Sequence, residues 1–262
     1  MSRLITAIGL LAIAFYLIFF APDAVFAGAA LLMSVLCYRE YATLVTAHGI
    51  PAPGVLGILG GICILFWPYL AMVHLAPLTV LVLLTIAALI AALRRPDLNS
   101  ALPYTACVLL GALYTFAPWR FSIDLRRESV HLVFFALASN WAGDSVAFYV
   151  GRAFGKHRLA PIVSPKKSWE GAIASVAGSV LLGILYLGHF LPRLPWWEVV
   201  VLAMAGNVAG QFGDLAESAF KRGAGVKDSG NLLPGHGGML DRMDSSLFAL
   251  PVIFAIYSAI SK

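Results

Sequence analysis

An all-α protein that crosses a membrane many times is the fold class this sequence predicts, and three observations carry it. Of its 262 residues 60% are hydrophobic and only 12% charged, where soluble domains carry about 25%. Mean hydropathy is +0.87. Uncharged runs recur along the chain, each near the roughly 20 residues an α-helix needs to cross hydrocarbon.

Nine such runs are expected. Leu4–Phe20, behind Met1-Ser2-Arg3, has some features of a signal peptide, but it exceeds the usual apolar core of about 7–15 residues. A second run, Ala24–Tyr38, follows almost at once, so the pair reads as a retained hairpin turning at Pro22-Asp23. Then come Gly54–Val73, Leu75–Leu93, Ala101–Pro118, Val130–Val150, Gly171–Phe190, Trp197–Phe220 and Ser245–Ile260.

The basic residues set the orientation. With a cytoplasmic N-terminus, one side holds Arg3, Arg39, Arg94, Arg95, Arg152, Lys156, Arg158, Lys166, Lys167, Lys221, Arg222, Lys227 and Arg242. The other holds only Arg120, Arg126, Arg127, Arg193 and Lys262. The excess of cations on cytoplasmic loops favours that orientation. The net charge of +5 then reflects anionic lipid rather than nucleic acid. Cys37, Cys63 and Cys107 sit in apolar runs without zinc-ligand spacing and read as small buried hydrophobes.

Polar chemistry is confined to the second half. Residues 1–125 read as scaffold helices, because the first four runs hold almost nothing polar, and residues 126–262 as the catalytic region. Asn140 and Asp144 share a helix face, and a carboxylate at membrane depth needs a partner or a polar cavity. In the loop after them, Ser164 is placed to cap a helix with Pro165 in its first turn, displaying Lys166 and Lys167 near a helix start. That makes an anion site for a nucleotide phosphate or a lipid headgroup. Asn207, Gln211, Asp214, Ser218 and Lys221 form a stripe bordered by Glu217, expected to line a cavity.

Between the last two runs, Pro234-Gly-His-Gly-Gly238 offers backbone that phosphate can approach closely, with Asp241 and Asp244 following. His236 alone is weak evidence. Asp214, Asp241 and Asp244 are hard oxygen donors, the kind Mg²⁺ takes when it shares its shell with phosphate and water. Together these residues suit phosphoryl or nucleotidyl transfer, with a lipid as a plausible second substrate.

The run Ser218-x-Phe-Lys-Arg222-x4-Lys227-Asp228-x-Gly230-x2-Leu-Pro-x-His236-Gly237-Gly238-x2-Asp241-Arg242-x-Asp244 closely resembles the signature of phosphatidate cytidylyltransferases. Asn140-x3-Asp144-Ser145, Gly151-Arg-x-Phe-Gly-Lys, Ser164-Pro-Lys-Lys-Ser-Trp-Glu-Gly and Gly213-Asp214-Leu-x-Glu217-Ser218 resemble other blocks of that family. The resemblance implies a reaction of CTP with phosphatidate giving CDP-diacylglycerol and pyrophosphate. It implies Asp214, Asp241 and Asp244 as metal ligands for Mg²⁺, with a second cation allowed, and Lys221 as a further catalytic residue. The implied substrate contacts are Asn140, Asp144, Lys166, Lys167, Glu217, Ser218, Arg222, Lys227, Asp228, His236, Gly237, Gly238 and Arg242. It also implies a homodimer in the bacterial inner membrane with its active site facing the cytoplasm.

Three other readings compete. One is an enzyme of the same type acting on another lipid phosphate, or a CTP-dependent lipid kinase. A second is a transporter using Asp144 and the Asn207–Lys221 stripe, which would need polar residues through both bilayer halves and preferably an inverted repeat. A third is a structural protein, which leaves the loop charges unexplained. The Asp-Gly-x2-Ala-Arg motif of CDP-alcohol phosphotransferases is absent.

Overall fold

The structure, a computed structural model, describes residues 2–70, 76–232 and 237–260, and the side chains of residues 2–8 and 10 lie outside that description. Its elements are α1 (Ser2–Phe19), α2 (Asp23–Ala47), α3 (Gly54–Leu65), α4 (Trp67–Leu70), α5 (Pro77–Leu93), α6 (Ala101–Glu128) and α7 (Val130–Phe154). A short hairpin follows, β1 (Arg158–Ala160) with β2 (Ser164–Ser168), then α8 (Trp169–Phe190), α9 (Trp196–Gly223) and α10 (Leu240–Ile260). The protein is an all-α membrane protein.

Among the described residues five helical segments are long and apolar enough to cross a bilayer: Asp23–Ala47, Leu98–Glu128, Trp169–Phe190, Trp196–Gly223 and Leu240–Ile260. The expected nine is therefore not reached. Gly54–Leu65 and Pro77–Leu93 are apolar but shorter. The third expected run breaks into α3 and α4 at Phe66. The helix expected to stop at Pro118 instead runs on to Glu128 with that proline inside it, so Arg120, Arg126 and Arg127 lie on a helix and not in a loop.

The contacts group into two compact units: Met1–Thr6, Asp23–Arg120 and Phe220–Arg242 form one, and Ala7–Pro22, Phe121–Ala219 and Met243–Lys262 the other.

In the first unit glycines let α3 press against its neighbours. A Cβ at Gly57 would collide with the Tyr38 ring, one at Gly60 with Leu84, and one at Gly61 with Phe116. Tyr38 and Tyr41 are buried and their hydroxyls donate to the Gly54 and Cys107 carbonyls, at 3.0 and 3.1 Å. Buried aromatics need such partners. Between α5 and α6 a core of Leu84, Ala88, Ala92, Tyr104, Val108 and Ala112 closes, with the Arg95 guanidinium 3.8 Å from the centroid of the Tyr104 ring. Helix α9 ends in a Schellman motif: Val226 N–H donates to Lys221 O and Gly225 N–H to Arg222 O. Gly225 takes φ +70°, a conformation open to glycine without a Cβ penalty.

In the second unit α7 and α8 pack along small residues. A Cβ at Gly143 would lie 2.4 Å from Asn207 Nδ2 and 2.5 Å from Ser175 Oγ. Ser179 donates to Ser139 O at 2.7 Å. Close backbone approach through small residues is the usual way membrane helices gain packing energy. Arg126 reaches the C-terminal end of α1, donating to Ile18 O at 3.0 Å and Ala21 O at 2.5 Å. It satisfies carbonyls the helix end leaves open, which accounts for one of the arginines that oppose the charge rule.

Candidate active site

The middle of the signature, residues 220–242, belongs to the first unit, and Asp241 is its focus. One carboxylate oxygen, Oδ1, accepts from Lys221 Nζ at 2.5 Å. The other, Oδ2, accepts from Ser229 N at 2.9 Å and Gly238 N at 2.8 Å, and lies 3.0 Å from Ser229 Oγ. Both side chains are nearly sealed, with 11% exposure for Lys221 and 5% for Asp241. Charge-assisted bonds of this length are the strong ones. Gly237, at φ +80°, turns the chain into α10, and a Cβ there would lie 2.8 Å from Asp241 Oδ2. Lys227, Asp228, Arg222 and Arg242 are exposed around this core. Arg222 donates to Val226 O at 3.2 Å. His236, with Leu233, Pro234 and Gly235, lies outside the described residues.

Glu40 is the residue the sequence did not single out. It lies on α2, just past the expected run and within the 1–125 region taken to be scaffold, and is buried at 9% exposure. Its carboxylate accepts from Met239 N at 2.9 Å, Leu240 N at 2.8 Å and Ser229 Oγ at 2.9 Å. The helix expected to finish near Tyr38 continues to Ala47, and that extension carries Glu40 to the signature. A charged Arg39-Glu40 pair interrupting apolar sequence was the one available signal.

The second unit holds a separate constellation. Lys167 Nζ donates to Asp214 Oδ2 at 2.5 Å, and Ser218 Oγ donates to Asp214 Oδ1 at 3.3 Å. Asn207 donates to Ser175 Oγ at 3.1 Å, and Gln211 to Asn207 Oδ1 at 2.7 Å and Ala172 O at 3.1 Å. The polar stripe on α9 is therefore real, and its member Gln211 lines a cavity of the second unit. Asn207 is buried against α8, and Asp214 meets the hairpin. Asn140 is buried too, donating to Ala136 O at 3.1 Å, and a Cβ at Gly210 would strike its Oδ1 at 2.1 Å. Glu217 is fully buried.

The cavity itself holds 540 Å³. Arg152, Arg158, Lys166 and Lys167 supply cations, Asp144 and Gln211 polar groups, and Ala147, Phe148, Leu159 and Ala172 an apolar wall. Lys166 and Lys167 do not precede a helix capped by Ser164, as expected. They lie on β2, and α8 starts after Ser168, whose side chain accepts from Gly171 N. With that start Glu170 falls in the first turn, where a carboxylate is favoured. Glu170 Oε1 also lies 2.7 Å from His157 Nδ1 and holds the hairpin's entry. Arg152 and Arg158 belong to the cavity although no site role was expected of them; the Gly151-Arg-x-Phe-Gly-Lys block was the signal.

Among the described residues no group of three or more His, Cys, Asp or Glu side chains converges as a metal cage. The carboxylates present are nonetheless hard oxygen donors of the kind Mg²⁺ takes. Asp214 and Asp241 each already hold a cation, a lysine ammonium at 2.5 Å. Next to Asp214, Gly213 brings α9 against α10: a Cβ there would lie 2.4 Å from Asp244 O. Mg²⁺ bound mainly by phosphates and water needs only one or two carboxylates, and these residues fit that role.

The long apolar helices define a class, a helical membrane protein, and each of its two units carries a lysine–carboxylate pair. The chain belongs to the cytidylyltransferase family, whose model matches residues 1–260. A phosphatidate cytidylyltransferase of Staphylococcus aureus (strain COL) is 31% identical over 228 residues, 85% of each chain. One from Staphylococcus haemolyticus is 39% identical over 157 residues, 60% of this chain and 58% of that relative. For one from Staphylococcus saprophyticus the figures are 37% over 148 residues, 56% and 57%.

Proposed function

We propose that this chain transfers the cytidylyl group of CTP to phosphatidate, releasing pyrophosphate and leaving CDP-diacylglycerol. The observation that carries the reading is the convergence of Lys221, Ser229 and Gly238 of the signature on the one carboxylate of Asp241, in a member of the cytidylyltransferase family.

A phosphatidate oxygen attacks the α-phosphorus of CTP, and the bond from that phosphorus to the bridging oxygen of pyrophosphate breaks. The attacking phosphate is already an anion near neutral pH, so no strong general base is required. Positioning and charge neutralisation supply most of the rate. Lys221, Arg222, Lys227 and Arg242 neutralise the triphosphate. The cavity beside α7 suits the lipid substrate's headgroup: Lys166, Lys167, Arg152 and Arg158 meet its phosphate while Phe148 and Leu159 face its apolar parts. Asp214, Asp241 and Asp244 are the candidate ligands for Mg²⁺, which when bound would neutralise phosphate charge and orient it.

The remaining features belong to the same reading. The shorter helices α3 and α5, with α1 and α7, complete the set of about nine in the membrane. The N-terminus and the active site face the cytoplasm, and the protein acts as a homodimer in the bacterial inner membrane. Cations clustered on the loops support that orientation.

Purified protein in detergent, given CTP, phosphatidate and Mg²⁺ with each omitted in turn, provides the test. Pyrophosphate release that needs both substrates, with ATP unable to replace CTP, is the expected result. Release of ADP or CDP would make the protein a lipid kinase, and folded protein without turnover would end the enzymatic reading.

A further inference from the structure

Glu40 has no role in the reading above, yet its carboxylate sits inside the signature. It has three donors, Met239 N, Leu240 N and Ser229 Oγ, all within 2.9 Å. A buried carboxylate without such donors would be strongly disfavoured. Two of them are backbone N–H groups at the start of α10, where negative charge is stabilised by the helix dipole.

Two glycines of the signature lie against this side chain. A Cβ at Gly230 would lie 2.7 Å from Glu40 Oε1, and one at Gly238 would lie 2.2 Å from Glu40 Oε2 and 2.3 Å from Ser229 Oγ. A side chain at either position would push the carboxylate from its present place.

Ser229 joins the two carboxylates. Its Oγ is 2.9 Å from Glu40 Oε2 and 3.0 Å from Asp241 Oδ2, so its one hydroxyl proton lies between the two carboxylates and is shared by them. The same serine's N–H donates to Asp241 Oδ2 at 2.9 Å. With Oδ2 fixed in this way, Oδ1 is left facing Lys221. We propose that Glu40 is a positioning residue for the transfer reaction: through Ser229 and the first turn of α10 it fixes the carboxylate of Asp241 and, with it, the ammonium of Lys221. This rests on the cytidylyl-transfer reading of the site.

Glu40→Gln keeps the shape and replaces one acceptor oxygen by a donor that faces N–H groups. Ser229→Ala removes only the bridging hydroxyl. Supporting groups of this kind cost about 10- to 100-fold when altered, and an effect confined to the transition state lowers kcat while leaving KM unchanged. Steady-state pyrophosphate release is measured for wild type, Glu40→Gln, Ser229→Ala and the double variant, with detergent melting curves for each. The expected result is a fall in kcat of about 10- to 100-fold in each single variant, KM for CTP unchanged, and a double variant no worse than the weaker single one, because both act through one chain of contacts.

An active wild type with wild-type kcat in Glu40→Gln overturns the role of Glu40. So do losses that multiply in the double variant, or a loss seen only in KM. If Glu40→Gln does not fold, Ser229→Ala decides alone: a lowered kcat at unchanged KM supports the relay, and a wild-type kcat overturns it. A wild type that releases no pyrophosphate overturns the transfer reading itself, and this role with it.

Discussion

The ammonium of Lys221 lies 2.5 Å from Asp241 Oδ1 with both side chains almost sealed from solvent. The two residues are 20 positions apart, one in the last turns of α9 and the other in the first turn of α10. A buried pair of this kind is weak evidence for stability by itself, but removing one partner strands the other and costs about 3–5 kcal/mol. Asp241→Asn should therefore lose most activity and also melt earlier in detergent. Lys221→Met with Asp241→Asn should destabilise less than the sum of the single changes. Additive losses would show that the pair is not coupled.

Lys167 and Asp214 make a bond of the same length, yet their side chains are 28% and 27% exposed. Water and salt screen such a pair, which is worth about 0–1 kcal/mol. Lys167→Ala should leave the melting temperature nearly unchanged and lower pyrophosphate release. Equal activity in Lys167→Ala and wild type would remove this lysine from the reaction.

Glycines in this chain differ in what a methyl group would meet, which gives a matched pair of tests. At Gly155 a Cβ would lie 2.2 Å from the carbonyl oxygen of Gly151 and 2.7 Å from Ser168 Oγ, beside the cavity. Backbone cannot step aside cheaply, and overpacking costs about 1–3 kcal/mol. At Gly188, inside α8, nothing lies within 4 Å, and alanine should stabilise the helix by about 0.5–1 kcal/mol. Gly155→Ala is expected to melt earlier and to raise KM for phosphatidate, while Gly188→Ala matches or exceeds wild type. Reversed ranking in a thermal melt would contradict the local packing.

What the sequence made legible was local. The break between two helices before Asp23 and the polar stripe on α9 follow from short local patterns, and one continuous signature holds Lys221, Gly238 and Asp241 within 20 positions. What it hid depended on partners elsewhere in the chain. Glu40 meets Ser229, Met239 and Leu240 across 189, 199 and 200 residues of chain, so no window contains both partners. Ser164 was expected to cap a helix, but it pairs with Ala160 across the β1–β2 hairpin instead. Proline 118 looked like a helix end, but α6 carries it within 28 residues of helix, since neighbouring helices can satisfy the freed carbonyl in a membrane.

Metal removal is the remaining test. Asp214 and Asp241 each hold a lysine ammonium rather than another carboxylate, and among the described residues no third acid joins either into a cage. A divalent ion at such donors should be held weakly without substrate, because phosphate oxygens must complete its shell. Mg²⁺ binding, followed by calorimetry, should therefore be weak in the protein alone and strengthen when CTP is present. EDTA should abolish pyrophosphate release, and excess Mg²⁺ should restore it. Asp241→Asn and Asp214→Asn should each need more Mg²⁺ for half-maximal rate than wild type if they retain measurable activity. Tight Mg²⁺ binding in the absence of nucleotide would instead require a preformed protein cage, and full activity in EDTA would leave the carboxylates with a role toward lysine alone.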